Sequence, residues 1–278
     1  MKIKKDENSL IVYDLDCINL DYTLDCGQSF RWEKNENIWS AVAFGKKIRI
    51  EQKDENTLVF YNTSEEDFEN FWKNYFDLER DYSVIIARFQ NDKFLKEASN
   101  EYYGIRVLNQ EPWEALCSFI ISQNNNIPRI KGIIKRLCES FGEDLGDGFF
   151  TFPSAEKLST LTPEDLSSLR AGFRAKYIID AAKKVTSGET DFEKILANDI
   201  SFGRESLMKI CGVGPKVAEC CLLYGLKKAD AFPVDVWVKR IMSELYEKGL
   251  PECAYPEIGI AQQYLFHWRR NVDNKLTK

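Results

Sequence analysis

The chain has 278 residues, 44% of them hydrophobic and 29% charged, enough for a sizeable core in two or three subdomains and unlike a disordered or fibrous polymer. Its formal net charge is −6, which is not the overall basic footprint of a nucleic-acid binder. Eight cysteines with no C-x-x-C pair and a single histidine, His267, argue against zinc ligation, and no apolar run is long enough to span a membrane.

The charge is uneven. Residues 1–103 hold 14 basic and 21 acidic side chains, whereas residues 104–278 hold 24 and 23. A local phosphate-binding face in the later part is therefore compatible with the acidic total, because backbone binding needs only a local patch. The start, MKIKKDENSL, has no apolar h-region, and unpaired cysteines suit a reducing cytoplasm.

Residues 10–13, 39–44, 47–50 and 57–61 are short, rich in β-branched or aromatic side chains, and divided by Asn, Asp and Gly clusters, so they read as strands. Residues 65–75 and 82–99 read as amphipathic helices. Phe68, Phe71, Trp72 and Tyr75 share one face, which suits a core better than a binding surface. From residue 111 the pattern is helical almost to the end, over 112–121, 127–141, 154–161, 163–169, 175–186, 192–196 and 203–210. No repeat or low-complexity linker interrupts it. The expected fold is α+β: an antiparallel sheet domain over 1–103, then a helical domain over 104–278.

The most informative stretch runs from 205 to 240. An apolar helical run ends in Cys211-Gly212-Val213-Gly214-Pro215-Lys216. Gly212 and Gly214 can take backbone angles that other residues avoid, and Pro215 suits the first turn of a new helix. Gly225 is placed to end that helix. The segment predicts a helix–hairpin–helix whose bare N–H groups can hold one phosphate. Lys216 falls in the first helical turn, where the dipole disfavours a cation, and a neutral lysine amine can form a Schiff base. Asp235 follows one loop later and opens another helix. Without further context, a solvated lysine and a capping aspartate are the favoured explanation of the two residues.

GVGPK followed by PVD resembles the helix–hairpin–helix, Gly/Pro, Asp motif of base-excision DNA glycosylases. A lysine in this position resembles the bifunctional glycosylase/AP lyase members. Cys26-Gly27-Gln28-Ser29-Phe30-Arg31-Trp32, otherwise a turn and a strand, resembles the G-Q-S-F-R-W segment of the eukaryotic-type 8-oxoguanine DNA glycosylases. The iron–sulfur branch of the superfamily needs four clustered C-terminal cysteines, and only Cys253 lies there.

This resemblance implies roles. The Gly27 carbonyl accepts from N7–H of the lesion, a proton that normal guanine lacks. In Ser122-Gln123-Asn124-Asn125-Asn126-Ile127-Pro128-Arg129, by itself a polar turn and helix cap, Asn124 fills the hole left by a flipped base and Arg129 reads the orphaned cytosine. Phe173 is the wedge and Arg174 a second contact to that cytosine. Gln262 meets the pairing edge of the flipped base, Phe266 and Cys220 sandwich it, and Phe119 and Pro233 line its site. Gly212, Gly214 and Trp237 contact DNA. Lys216 is the nucleophile, and Asp235 steadies the positive charge that develops on the sugar. Trp237 and Arg269 depart from the histidine and the acid of animal members, and Phe173 lacks the usual tyrosine hydroxyl.

The implied reaction is excision of 8-oxoguanine from duplex DNA, expected opposite cytosine, then β-elimination. It needs neither cofactor nor catalytic metal, and the enzyme is expected to be a cytoplasmic monomer acting on bacterial nucleoid DNA. Hairpin carbonyls of Met208, Ile210 and Val213 are candidates for a structural cation. The rival expectations are a related glycosylase for another damaged purine and a non-catalytic hairpin module that only binds DNA.

Overall fold

The computed structural model describes residues 1–276. Six strands come first: β1 (Lys2–Asp6), β2 (Ser9–Tyr13), β3 (Glu33–Asn35), β4 (Ile38–Ala43), β5 (Lys46–Asp54) and β6 (Thr57–Tyr61). They form one sheet in the order β1-β2-β6-β5-β4-β3. The pairs β1–β2, β2–β6 and β3–β4 are antiparallel, with Leu10 opposite Phe60 and Val12 opposite Leu58. These four side chains are fully buried, as period-two alternation of a half-covered sheet requires.

The helices are α1 (Leu20–Leu24), α2 (Glu65–Asp67), α3 (Lys73–Tyr75), α4 (Tyr82–Phe89), α5 (Lys93–Glu101), α6 (Pro112–Ser122) and α7 (Ile127–Phe141). They continue as α8 (Ala155–Ser159), α9 (Arg174–Thr186), α10 (Phe192–Ala197), α11 (Ile200–Leu207), α12 (Pro215–Tyr224), α13 (Val236–Leu245) and α14 (Ile258–Leu276). A π-helical turn, Phe68–Trp72, joins α2 to α3. The α+β expectation thus holds.

Some local expectations fail for identifiable reasons. The run 82–99 is two helices, because the Asp92 carboxylate caps a new one by accepting from the N–H groups of Phe94 and Leu95. Residues 163–169 yield only a short 3-10 turn, Ser167–Leu169, which ends on a left-handed Arg170. The charged segment β1 was not expected as a strand. It forms by pairing along β2, a tertiary effect its own residues do not signal.

The chain divides into two compact units. The first comprises Met1–Gln28, Ile50–Asn109 and Lys228–Lys278, and the second Ser29–Arg49 and Gln110–Lys227. In the first, Phe60 meets Phe68 and Phe76 edge-on at 5.2 and 5.9 Å, and Phe89 meets Tyr264 of α14 at 6.1 Å. In the second, α6 is buried from Trp113 to Ile121 and α12 from Val217 to Tyr224. They approach closely at Gly225, where a Cβ would lie 3.0 Å from both Ala115 Cβ and Pro112 Cα. Arg31 pairs with the buried Glu114 at 3.0 Å and also donates to the Phe150 carbonyl. Burial pushes the Glu114 carboxyl up, while the Arg31 charge pulls it down.

Candidate active site

In the second unit the hairpin has the expected form. Gly212 is left-handed at φ +76°, and a Cβ there would stand 2.4 Å from the Tyr177 ring. Gly214 differs: it is extended, at φ −99° and ψ −177°, a conformation any residue can take. What distinguishes it is space, since a Cβ there would meet nothing within 4 Å. The opening beside the N-terminus of α12 is therefore compatible with close approach of a phosphate. The Ile210 carbonyl, one of three expected to face a cation, accepts from the Val213 N–H at 3.0 Å.

Pro215 and Lys216 begin α12. The Lys216 Nζ donates to the Ser122 hydroxyl at 3.1 Å and lies 5.1 Å from the centre of the Phe119 ring. Phe119 is buried between two aromatic rings. Tyr224 stacks on it at 5.2 Å, and Phe30 meets it edge-on at 5.8 Å. Cys220, one turn beyond Lys216, is buried.

The asparagine turn is held from behind. Asn124 is left-handed at φ +46°, and Asn126 caps α7 by accepting from the Arg129 N–H at 3.0 Å. The buried Arg174 donates to the carbonyls of Gln123 and Asn124, and to Ala171 at 3.1 Å. Burial, with the nearby Arg129 charge second, holds its guanidinium below its ordinary range. Arg129 is exposed and bonds the Asn125 side chain and the Arg170 carbonyl at 3.2 and 3.1 Å. Phe173, the expected wedge, is 48% exposed and packs edge-on against Tyr177 at 5.7 Å.

The first unit holds the other candidates. Gly27 is left-handed at φ +84°. The next residue, Gln28, is fully buried and pins the loop: its amide donates to the carbonyls of Thr23 and Arg106, and its oxygen accepts from the Leu108 N–H, all at 2.8 Å. Gln263 donates to the Cys26 carbonyl at 3.3 Å. Gly27 and Gln262 are thus neighbours of two residues bonded to each other, so one frame positions both. Gln262 is buried, and its amide oxygen has no hydrogen-bond partner among the described residues. Phe266 is half-buried, with the Arg270 guanidinium 5.9 Å from its ring centre.

Asp235 caps α13, accepting from the N–H groups of Trp237 and Val238 at 2.9 Å. The capping role is therefore real, and the half-buried carboxylate retains its second oxygen for other work. Pro233 is buried in the preceding loop, and Trp237 lies 5.3 Å from the Arg240 guanidinium. Arg269 pairs with Glu244 at 2.7 Å. None of the eight cysteines forms a disulfide, and no helix among the described residues is long and apolar enough to cross a membrane.

The contact of Ser122 with Lys216, the anchoring by Gln28 and the shield of Tyr177 over Gly212 were not foreseen from sequence. Ser122 and Gln28 stand inside the motifs quoted above, and that position was the available signal.

Comparison with known proteins finds the chain's likenesses among base excision DNA glycosylases. Residues 10–116 match the model of the 8-oxoguanine DNA glycosylase N-terminal domain, and residues 117–249 match that of HhH-GPD superfamily base excision DNA repair proteins. An N-glycosylase/DNA lyase of Saccharomyces cerevisiae is 34% identical over 254 residues, 81% of this chain and 67% of that protein. A DNA-3-methyladenine glycosylase of Bacillus subtilis is 27% identical over 242 residues, 81% of this chain and 80% of that one. The 8-oxoguanine glycosylase/lyase of Clostridium acetobutylicum, solved with double-stranded DNA containing cytosine opposite 8-oxoguanine, superposes with a TM-score of 0.89. It is 38% identical, covering 98% of this chain and 99% of that one.

Proposed function

The chain belongs to the HhH-GPD superfamily of base excision DNA repair proteins, among the N-glycosylase/DNA lyases, and from that premise we propose that it excises 8-oxoguanine from duplex DNA and then cleaves the strand. The neutral amine of Lys216 attacks C1′ of the flipped nucleotide. The glycosidic bond breaks, its electron pair leaves with the base, and the nitrogen gives up a proton. The sugar ring opens to an imine at C1′. Loss of a C2′ proton then expels the 3′ phosphate by β-elimination. The Asp235 carboxylate offsets the positive charge that grows on the sugar as the base departs.

Recognition divides between three groups. Gly27 offers a carbonyl to N7–H, Gln262 meets the pairing edge, and Phe266 and Cys220 cover the faces, with Phe119 and Pro233 lining the site. Gly212, Gly214 and Trp237 hold the backbone. Asn124 and Phe173 occupy the gap in the stack, Arg129 reads the estranged cytosine, and Arg174 steadies the turn that carries Asn124 as well as standing beside that base.

The observation that carries this reading is the Lys216 amine at the N-terminus of α12, held by one hydroxyl and one ring and, among the described residues, by no carboxylate. A non-catalytic DNA binder has no use for such an arrangement. The test is strand cleavage and borohydride trapping on duplexes bearing 8-oxoguanine, an alkylated purine or an abasic site. Cleavage and trapping at 8-oxoguanine are expected. Excision of the alkylated purine alone would instead support the reading suggested by the Bacillus subtilis relative, and no covalent product with any lesion would leave only binding.

A further inference from the structure

We propose that Ser122 is a positioning residue for the nucleophile: its hydroxyl aims the Lys216 lone pair. The inference rests on the reading of Lys216 given above.

The argument starts from the hydroxyl proton. Ser122 ends α6, and its Oγ lies 2.8 Å from the Phe119 carbonyl one turn back. A carbonyl cannot donate, so the serine proton points at it. The Ser122 oxygen is left with lone pairs only, and one of these faces the Lys216 Nζ at 3.1 Å. Lysine must therefore be the donor in that contact, whether it is an ammonium or an amine. In the amine, one N–H is tied to Ser122 and the nitrogen lone pair is directed away from it. Had the serine proton been free, it could have bonded that lone pair and blocked the attack.

The Phe119 ring limits motion on the remaining side. It stands 5.1 Å from Nζ and is itself clamped by Tyr224 and Phe30. Phe119 thus contributes twice, through its backbone carbonyl to Ser122 and through its ring to Lys216. A four-carbon lysine stem otherwise has many rotamers, and a lone pair that is misdirected most of the time slows a reaction set by orientation.

The experiment uses the full chain with Ser122→Ala, Ser122→Thr and Ser122→Val. In the last turn of a helix, threonine also bonds a carbonyl three or four residues back, whereas valine has its shape without the hydroxyl. Single-turnover excision of 8-oxoguanine and the rate of borohydride trapping are measured beside the Kd for lesion DNA. The alanine and valine variants are expected to lose about tenfold in both rates, the worth of one oriented hydrogen bond, with Kd changed less than threefold. Threonine is expected to restore the rate to within about threefold of the parent. Alanine rates within twofold of the parent overturn the proposal. So do equal losses in threonine and valine, or a loss in Kd as large as that in rate, since each points to packing rather than aim. Lys216→Gln runs alongside. If it is still trapped, the reading of the nucleophile falls; if it is inert while Ser122→Ala is normal, only the present inference falls.

Discussion

The surroundings of Lys216 in the second unit and the stretch from Gln262 to Arg270 in the first treat polar groups in opposite ways. Around Lys216 the polar atoms have definite partners: Nζ on Ser122, the serine proton on a carbonyl, the Arg174 guanidinium on the asparagine turn. Along α14, the Gln262 oxygen, His267 Nδ1, Trp268 Nε1 and Arg270 Nη1 are buried without hydrogen-bond partners among the described residues. Each such atom typically costs ~1–3 kcal/mol. On the function proposed above, the chemical half is thus complete beforehand, whereas the recognition half keeps the Gln262 oxygen open for the atoms of a base.

The strongest way to break the comparison is Lys216→Gln, which should abolish both base excision and borohydride trapping while lesion binding stays within threefold. A gel shift and a trapping assay on the same duplex check it. If the recognition half acts alone, binding must survive.

Gln262→Leu sharpens the contrast from the other side. It fills the same space without an amide, so 8-oxoguanine excision should fall about tenfold to a hundredfold, the range for a lost base-edge contact. Cleavage at a preformed abasic site needs no base and should remain within threefold. Equal losses on the two substrates would show that the halves do not divide the work as described.

Arg129→Ala addresses the opposite strand. Cytosine offers acceptors to a guanidinium, whereas adenine presents a donor on its pairing edge. The parent should excise faster opposite cytosine than opposite adenine, and the variant should narrow that gap by about tenfold. Single-turnover rates on the four pairings measure it. Arg174→Ala should instead slow all four alike, because its donors support the turn at Asn124.

A separate effect, on stability rather than rate, concerns the cost itself. His267 is buried against Tyr22 and Tyr102, with Arg270, Asp25 and Glu101 as the charged groups around it. Burial first, and Arg270 second, push its pKa down from 6.5 to about 4. The folded state therefore refuses a proton that the unfolded chain accepts below pH 6.5. Stability is full above that value and declines as pH falls toward 4. Between pH 8 and pH 5 this amounts to about 2 kcal/mol. Denaturant unfolding at those two pH values should show the drop, and His267→Phe should remove it.

Much of this was legible from residue order. The hairpin, the helix starting at Pro215 and the cap at Asp235 follow from local backbone preferences, which a few adjacent residues determine. The strands Ser9–Tyr13 and Thr57–Tyr61 were visible, as 10–13 and 57–61, in their β-branched and aromatic content between turn-forming clusters. What was not legible depends on distance along the chain. Ser122 and Lys216 are 94 positions apart, so no pattern in either neighbourhood announces that they touch. Arg174 shows the same limit. Its motif suggested contact with a base, yet its immediate partners here are carbonyls some fifty residues earlier. Gly214 was grouped with Gly212 for its backbone freedom, whereas its distinction is open space, which only the folded surroundings define.

On the function proposed above, the contact between Gly212 and Tyr177 makes grip and intrusion parts of one lever. The bare α-carbon of Gly212 is the seat of the Tyr177 ring, and Phe173 packs edge-on against that same ring. A methyl group at Gly212 would displace the tyrosine, and the wedge would lose its backing before any nucleotide arrived. Loosening the hold on the phosphate chain should therefore blunt the wedge in the same stroke, so that a population of variants at this position would fail at searching for lesions and at opening them together.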